Sequence, residues 1–503
     1  MKIAEDLIKT ILDLTEAVVI EGIKAVYEYQ NKNSYLPVYY GYPELFLKGI
    51  ENSETFNELK ENVDTFKYGI PLFHSTDLNT PKKYGDLFSV NGGQFSISCH
   101  SLKGFEELIT FFNEKKEANI MLTSEDKYIE SSIVSYIGNI INRYLYITEK
   151  FKEGEVDKKV IKSLTIQQLM RFYAKQLSVD ICVPICFLEF EADEIEIADN
   201  VSICRMSREF QISRYNANRF ESTQESQLVQ CSGFIIRLKG YSIENRERES
   251  MHNATSNYWA YPTELIDDLF ASIRIVVGYK TGYGQLLIEP NGWADKWTTN
   301  LIPLYGAIIR AFNRNELNTK LFGYHIEKIS HEKILLISEL FKILQGKRKE
   351  GKKNKQFRKV FIAIQRLNRC TLREAEDDMA LDAIIGIETL LSGDTHGEIT
   401  YTISNRISVV AAKLKECPYS PADVRRAMKT IYGLRSDIVH GRELEKNSKI
   451  KIEEKEIETK ELAIEFLRYS LLFIIRNQEY LDIQKFEAAL DSAVENVKHS
   501  TNP

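Results

Sequence analysis

From about Ile326 to the C-terminus, apolar residues recur at spacings of three and four almost without interruption. That periodicity constrains the fold more than any other feature, because only a helix gathers such residues onto one face. The last third of the chain is therefore expected to be all-α, with a domain boundary near residue 325. Three helices define it. In AEDDMALDAIIGIETLLSG, ending at the C-cap candidate Gly393, Glu388 has Ile384 and Ile385 one turn before it and Leu391 one turn after. A carboxylate among such neighbours needs a cationic partner or it will protonate. In TYTISNRISVVAAKL, Arg406 lies beside Ile403 and Val410 of the apolar stripe, so Glu388 and Arg406 are expected to pair. In PADVRRAMKTIYGLRSDIVHG, residues Val424, Ala427, Ile431, Leu434 and Ile438 form a seam of coiled-coil type. Arg435 sits at the edge of that seam, and His440 follows it at R-x4-H, just before Gly441.

The preceding residues, 1–325, read as a mixed α/β region with a possible break near residue 176. MKIAEDLIKTILDL begins an amphipathic helix running to about Tyr29. Short strands and loops are expected over 31–113, and helices over Ile129 to Tyr146 and Ile166 to Lys175. A strand-rich block follows from Val179 to Met206, then a strand at Gly233 to Leu238, a helix starting at Pro262 and the strand GQLLIEP. The carboxylates Glu189, Glu191, Asp193, Glu194 and Glu196 read as a solvated strand face, with no His among them. Cys182 and Cys186 lie about 13 Å apart on a strand, too far for one zinc, and read as buried thiols. No metal or cofactor site is expected.

Composition narrows the functional classes. Hydrophobic residues make up 43% and charged residues 27%, which is globular. A net charge of −6 excludes a wholly basic nucleic-acid coat but allows a local basic site. Seven cysteines do not suggest a disulfide framework. No run approaches the ~20 apolar residues of a membrane helix, and the acids near the N-terminus argue against a signal peptide. The expected location is cytoplasmic, without a membrane partner. The run QGKRKEGKKNK, Gln345 to Lys355, reads as a turn. Its cations, among them Lys347, Arg348, Lys352, Lys353 and Lys355, are either solvated or placed against an RNA backbone.

The R-x4-H pair fits RNA cleavage by transesterification. A neutral His takes the 2′-hydroxyl proton, its protonated form supplies the leaving 5′-oxygen, and an Arg fork suits the charge on the phosphorane. Five residues place the two side chains about 140° apart on a regular helix. They can converge if the helix ends at His440, as Gly441 suggests, or if a second subunit supplies a matching pair. Ser436 and Asp437 share a face with His440, and Asp437 can orient the imidazole. A second pair, Arg246 and His252, lies in a charged stretch without apolar periodicity and is set aside.

The block EDDMALDAIIGIETLLSG, then ISNRISVVAA, then IYGLRSDIVHG resembles the ApeA-like branch of the HEPN family, over roughly Lys359 to Arg476. The resemblance implies a C-terminal HEPN helical bundle, residues 326–503, following the α+β N-terminal region. It implies a homodimer that brings two motifs into one cleft, and a metal-independent endoribonuclease of abortive anti-phage defence. Carried over, Arg435 and His440 are the catalytic pair, with Ser436, Asp437, Glu388 and Arg406 supporting. Ser436 is less typical after the Arg than Asn, Asp or His. The substrate would be tRNA or other cellular RNA, the product a 2′,3′-cyclic phosphate, and residues 1–325 a sensor that restrains the toxin until a phage-derived trigger appears. On that reading a fragment from about residue 326 is more toxic than the full chain. The alternative is a non-catalytic HEPN module that binds nucleotide or RNA in a defence or toxin–antitoxin complex.

Overall fold

A computed structural model describes residues 4–33, 83–119, 128–207, 210–211, 213–214, 231–245, 255–278, 281–294, 301–312, 327–350, 356–370, 372–393, 399–442, 448–452 and 455–500. In chain order the main elements begin with helix α1 (Glu5–Lys32), strands β1 (Phe88–Ser89) and β2 (Ile97–Ser98), and helices α2 (Phe105–Glu114), α3 (Ile129–Thr148) and α4 (Lys158–Tyr173). Strands β3 (Gln176–Ile185), β4 (Leu188–Phe190), β5 (Glu194–Ala198), β6 (Val201–Arg205) and β7 (Phe234–Glu244) precede helix α5 (Thr263–Val277). Strands β8 (Tyr283–Pro290), β9 (Tyr305–Ala311) and β10 (Glu327–Ile329) lead into helices α6 (His331–Glu350), α7 (Arg358–Cys370), α8 (Glu376–Leu391), α9 (Ile399–Lys413) and α10 (Pro421–His440). Strands β11 (Lys449–Ile452) and β12 (Lys455–Glu458) and helices α11 (Thr459–Arg476) and α12 (Gln484–Ser500) complete the chain. The structure is mixed α+β, with its sheet in the middle and helices dominating the C-terminal third.

The chain folds as two compact units, each assembled from separated segments. The first comprises residues 1–184, 204–260 and 285–308, and the second residues 185–203, 261–284 and 309–503. In the first unit, Ile8, Ile11, Val18, Val19, Ile23 and Val26 form the buried stripe of α1, which packs against α2, α3 and α4. Phe105, Leu108, Ile109 and Phe112 of α2 join that core. This helix replaces part of the strand-and-loop region expected over 31–113, and α4 begins eight residues before its expected start.

In the same unit β7, β3, β8 and β9 are successive neighbours. Strand β3 is antiparallel to β8 and sets Asp180 directly opposite Glu289. Two carboxylates in that position repel. Arg237 of β7 lies between them, its Nη1 3.2 Å from Asp180 Oδ2 and 2.6 Å from Glu289 Oε2, and removes the conflict. Cys182, opposite Leu287, is a buried free thiol pushed up in pKa by its burial. Trp293 is also buried, and its indole N–H donates to the Ser178 carbonyl.

The second unit contains the parallel pair β4 and β10, the neighbours β5 and β6, the antiparallel hairpin of β11 and β12, and the C-terminal helices. The hairpin corrects the all-α expectation for this region. Lys449 to Glu458 holds its Ile450 and Ile452 side chains in the core at a spacing of two. Helix α11 is buried along nearly its whole length and touches α5, α7, α8, α9 and α10. Helix α5, which precedes the expected boundary at 325, shares this core through Ala271 and Ile275. Arg468 of α11 donates to the carbonyls of Ile275 and Val276 and so satisfies the C-terminal end of α5. A fragment starting at residue 261 should therefore melt cooperatively at a higher temperature than one starting at 326, which lacks α5 and opens the core. Equal midpoints by circular dichroism would remove α5 from this account.

At Gly386, α8 packs closely against α11. A Cβ there would lie 2.8 Å from both terminal methyls of Leu467 and 3.3 Å from Arg366 Cβ. Valine at this position overpacks the junction and should cost about 2 kcal/mol in chemical denaturation. An unchanged midpoint would show that the junction yields.

Candidate functional site

Helix α10 carries the proposed pair, and its two ends are set by local chemistry. At the start, Ser420 Oγ accepts the Asp423 N–H at 3.1 Å and Pro421 occupies the first turn. At the end, Gly441 adopts φ 64°. Its N–H donates to the Ile438 carbonyl at 3.2 Å, and the Arg442 N–H donates to the Asp437 carbonyl at 2.9 Å. This is a Schellman closure with glycine in the left-handed position. The helix therefore ends on His440. Val424, Ala427, Met428, Ile431 and Leu434 bury one side of it, whereas Val439 and His440 are exposed.

Tyr432 and Arg435, three residues apart, lie on one face and reach the same carboxylate. The Tyr432 hydroxyl donates to Glu388 Oε1 at 2.7 Å, and Arg435 Nε lies 3.2 Å from that oxygen. Burial and the adjoining Glu388 carboxylate push the Tyr432 phenol well above its ordinary pKa, so it remains a donor. Arg435 is anchored on Glu388 through Nε, and its side chain remains 40% exposed. Sequence reasoning missed Tyr432, although its i, i+3 relation to Arg435 was a usable signal.

The expected Glu388–Arg406 pair does not form; the two residues have different partners. Arg406 is buried, and its Nη1 donates to the carbonyls of Leu391 at 2.6 Å and Ser392 at 2.7 Å, at the end of α8. Its Nε and Nη2 bind Glu487 Oε1 of α12 at 2.8 and 2.7 Å. Arg406 thus ties three helices together and has no part in holding Arg435. Glu487 lies 81 residues further on, in no recognisable pattern with it.

His440 leaves α10 about 140° around from Arg435, as five residues of regular helix require. Asp437 and Ser436 are half-buried on the helix, with Asp437 Oδ1 3.8 Å from Arg442 Nη1. The first part of the basic run, to Glu350, is helical and not the expected turn, since α6 continues to that residue. Arg348 is held by both Asp268 oxygens at 2.9 Å and by Glu264 at 2.5 Å, over the Phe361 ring at 3.8 Å. A guanidinium so committed is structural. Lys347 pairs with Glu350 at 2.9 Å, and Lys352, Lys353 and Lys355 lie outside the described residues, as do Arg246, His252 and Trp297. Among the described residues no group of His, Cys, Asp and Glu has metal-binding geometry, and no helix is long and apolar enough to cross a membrane.

No family model, curated protein or solved structure matches this chain. The functional reading therefore rests on the geometry of α10 and its neighbours and on the resemblance carried by the three helical motifs.

Proposed function

We propose that the protein is a metal-independent endoribonuclease of the ApeA-like HEPN type, acting in abortive anti-phage defence as a homodimer. The observation that carries this reading is the arrangement on α10: an arginine anchored on one edge by Glu388 and a helix that terminates on an exposed histidine. In the reaction, neutral His440 removes the 2′-hydroxyl proton, the 2′-oxygen attacks phosphorus, and the bond to the 5′-oxygen breaks as that oxygen receives a proton from an imidazolium. Arg435 stabilises the charge on the phosphorane, while Glu388 and Tyr432 hold its stem in place. The two side chains diverge by about 140° along the helix, and in this reading a second copy completes the site: His440 of one chain and Arg435 of its partner would face the same phosphate. Residues of the first unit restrain the activity until a phage-derived trigger acts on them.

The test uses the full chain and His440→Ala, incubated with total RNA and tRNA in EDTA, followed by analysis of the 3′ ends. Cleavage that leaves cyclic phosphates and is lost in the variant is the expected result. No cleavage with or without lysate from phage-infected cells, combined with RNA binding that depends on Arg435, would favour the non-catalytic binding module.

A further inference from the structure

A cavity of about 400 Å³ opens in the second unit between α5, α6 and α7, away from α10. Arg274 lies in its lining and is 2% exposed. Its guanidinium donates only to neutral acceptors: Thr281 O from Nε at 3.2 Å and from Nη2 at 3.1 Å, and Asn368 Oδ1 from Nη1 at 2.6 Å. No carboxylate reaches it at ion-pair distance among the described residues, although Asp267 acts on it from further away. Burial accordingly pulls its pKa down to about 10. A buried charge without a directly bound counter-ion is costly, and an anion in the cavity would relieve that cost. Arg369, also in the lining, is exposed and makes no ion pair among the described residues.

The remaining wall defines the rest of a ligand. Arg348 is shared between Glu264 and Asp268, which keeps both of them engaged, and Asp267 is the further acceptor in the lining, with the Tyr283 hydroxyl donating to its Oδ1 at 3.0 Å. Ile364 and Leu372 supply an apolar surface. The volume lies within the range of small-ligand pockets and is far more than a simple inorganic anion fills. Arg274 and Arg369, the Asp267 acceptor and an apolar wall suit a molecule with a phosphate at one end, hydroxyl or amino donors near the other, and a flat apolar body.

We propose that this cavity binds a phosphate-bearing metabolite of mononucleotide size, with its anion between Arg274 and Arg369 and its donors against Asp267. The proposal does not depend on the ribonuclease reading, because neither Arg435 nor His440 borders the cavity.

The experiment titrates the full chain with AMP, GMP, CMP and UMP, with nucleosides and inorganic phosphate as controls, and reads thermal shift and calorimetric affinity. At least one nucleotide should bind saturably, its nucleoside should not, and phosphate alone should bind more weakly. Arg369→Ala should weaken binding about tenfold or more, as loss of one charge-assisted contact predicts. Leu372→Trp, which fills the cavity from its rim, should abolish it, and His440→Ala should leave it intact. Unliganded melting curves of the variants should match the parent. Absence of binding by all four nucleotides at millimolar concentration would overturn the proposal. So would equal affinity for inorganic phosphate, or binding untouched by both cavity variants.

Discussion

With His440 replaced by alanine, RNA cleavage is expected to slow by about 10²- to 10⁴-fold, the usual contribution of one general acid–base group. The melting temperature should stay within about 2 °C of the parent. The two expectations separate because His440 is exposed, while the end of α10 is closed by the backbone of Gly441 and Arg442 and not by the imidazole. On the proposed reading, function and fold are thus separable at this position. A variant that cleaves at the parent rate would remove His440 from the mechanism. One that loses activity in proportion to lost helicity would show that the residue serves the fold instead.

Replacing Arg406 by methionine should lower the unfolding free energy by about 3 kcal/mol. For a unit of this size, that corresponds to a fall in melting temperature of roughly 6–12 °C. Methionine keeps most of the apolar stem but strands the Leu391 and Leu391-adjacent Ser392 carbonyls at the end of α8, which receive the Arg406 Nη1 hydrogen bonds. Glu487 is 52% exposed and remains solvated when the arginine is gone, so Glu487→Gln should cost less than about 1 kcal/mol. Because Arg406 does not bind Glu388, the effects of Arg406→Met and Glu388→Gln should add to within about 0.5 kcal/mol. Strong coupling between them in a double-mutant cycle would restore the pairing expected from sequence.

How much of this was legible depended on whether the signal was local. The limits of α10 follow from Ser420, Pro421 and Gly441, each acting on its own neighbourhood, and Val424, Ala427, Ile431 and Leu434 of its seam are buried where periodicity placed them, while Ile438 is half-buried. The partner of Glu388 was not local. Two arginines, Arg406 and Arg435, both bordered apolar stripes, and choosing between them requires the rotation of α9 and α10 about their axes. Arg406 turned to main-chain carbonyls, which every residue possesses and which leave no mark in a sequence. Other misses were readable in principle. Ile450, Ile452 and Ile457 alternate with charged residues, a strand pattern hidden inside an otherwise helical region. The basic run from Lys347 drew attention as loose positive charge, but Arg348 had carboxylate partners about 80 positions earlier, on α5. Mixed units explain why the boundary near 325 divides residues that share one core: separation along the chain says little when a unit is built from three segments.

That interleaving also orders events on the ribosome. The first unit lacks its last segment until residue 308 has emerged, and the second requires α11, Thr459–Arg476, at the centre of its helices. Domains generally fold N-terminal first during synthesis. Here the helix that ends on His440 is translated before α11, the element that buries its neighbours, so a nascent or prematurely terminated chain carries the motif without the scaffold that sets its geometry. If the motif is a toxin's, the translation schedule itself withholds it from incomplete products.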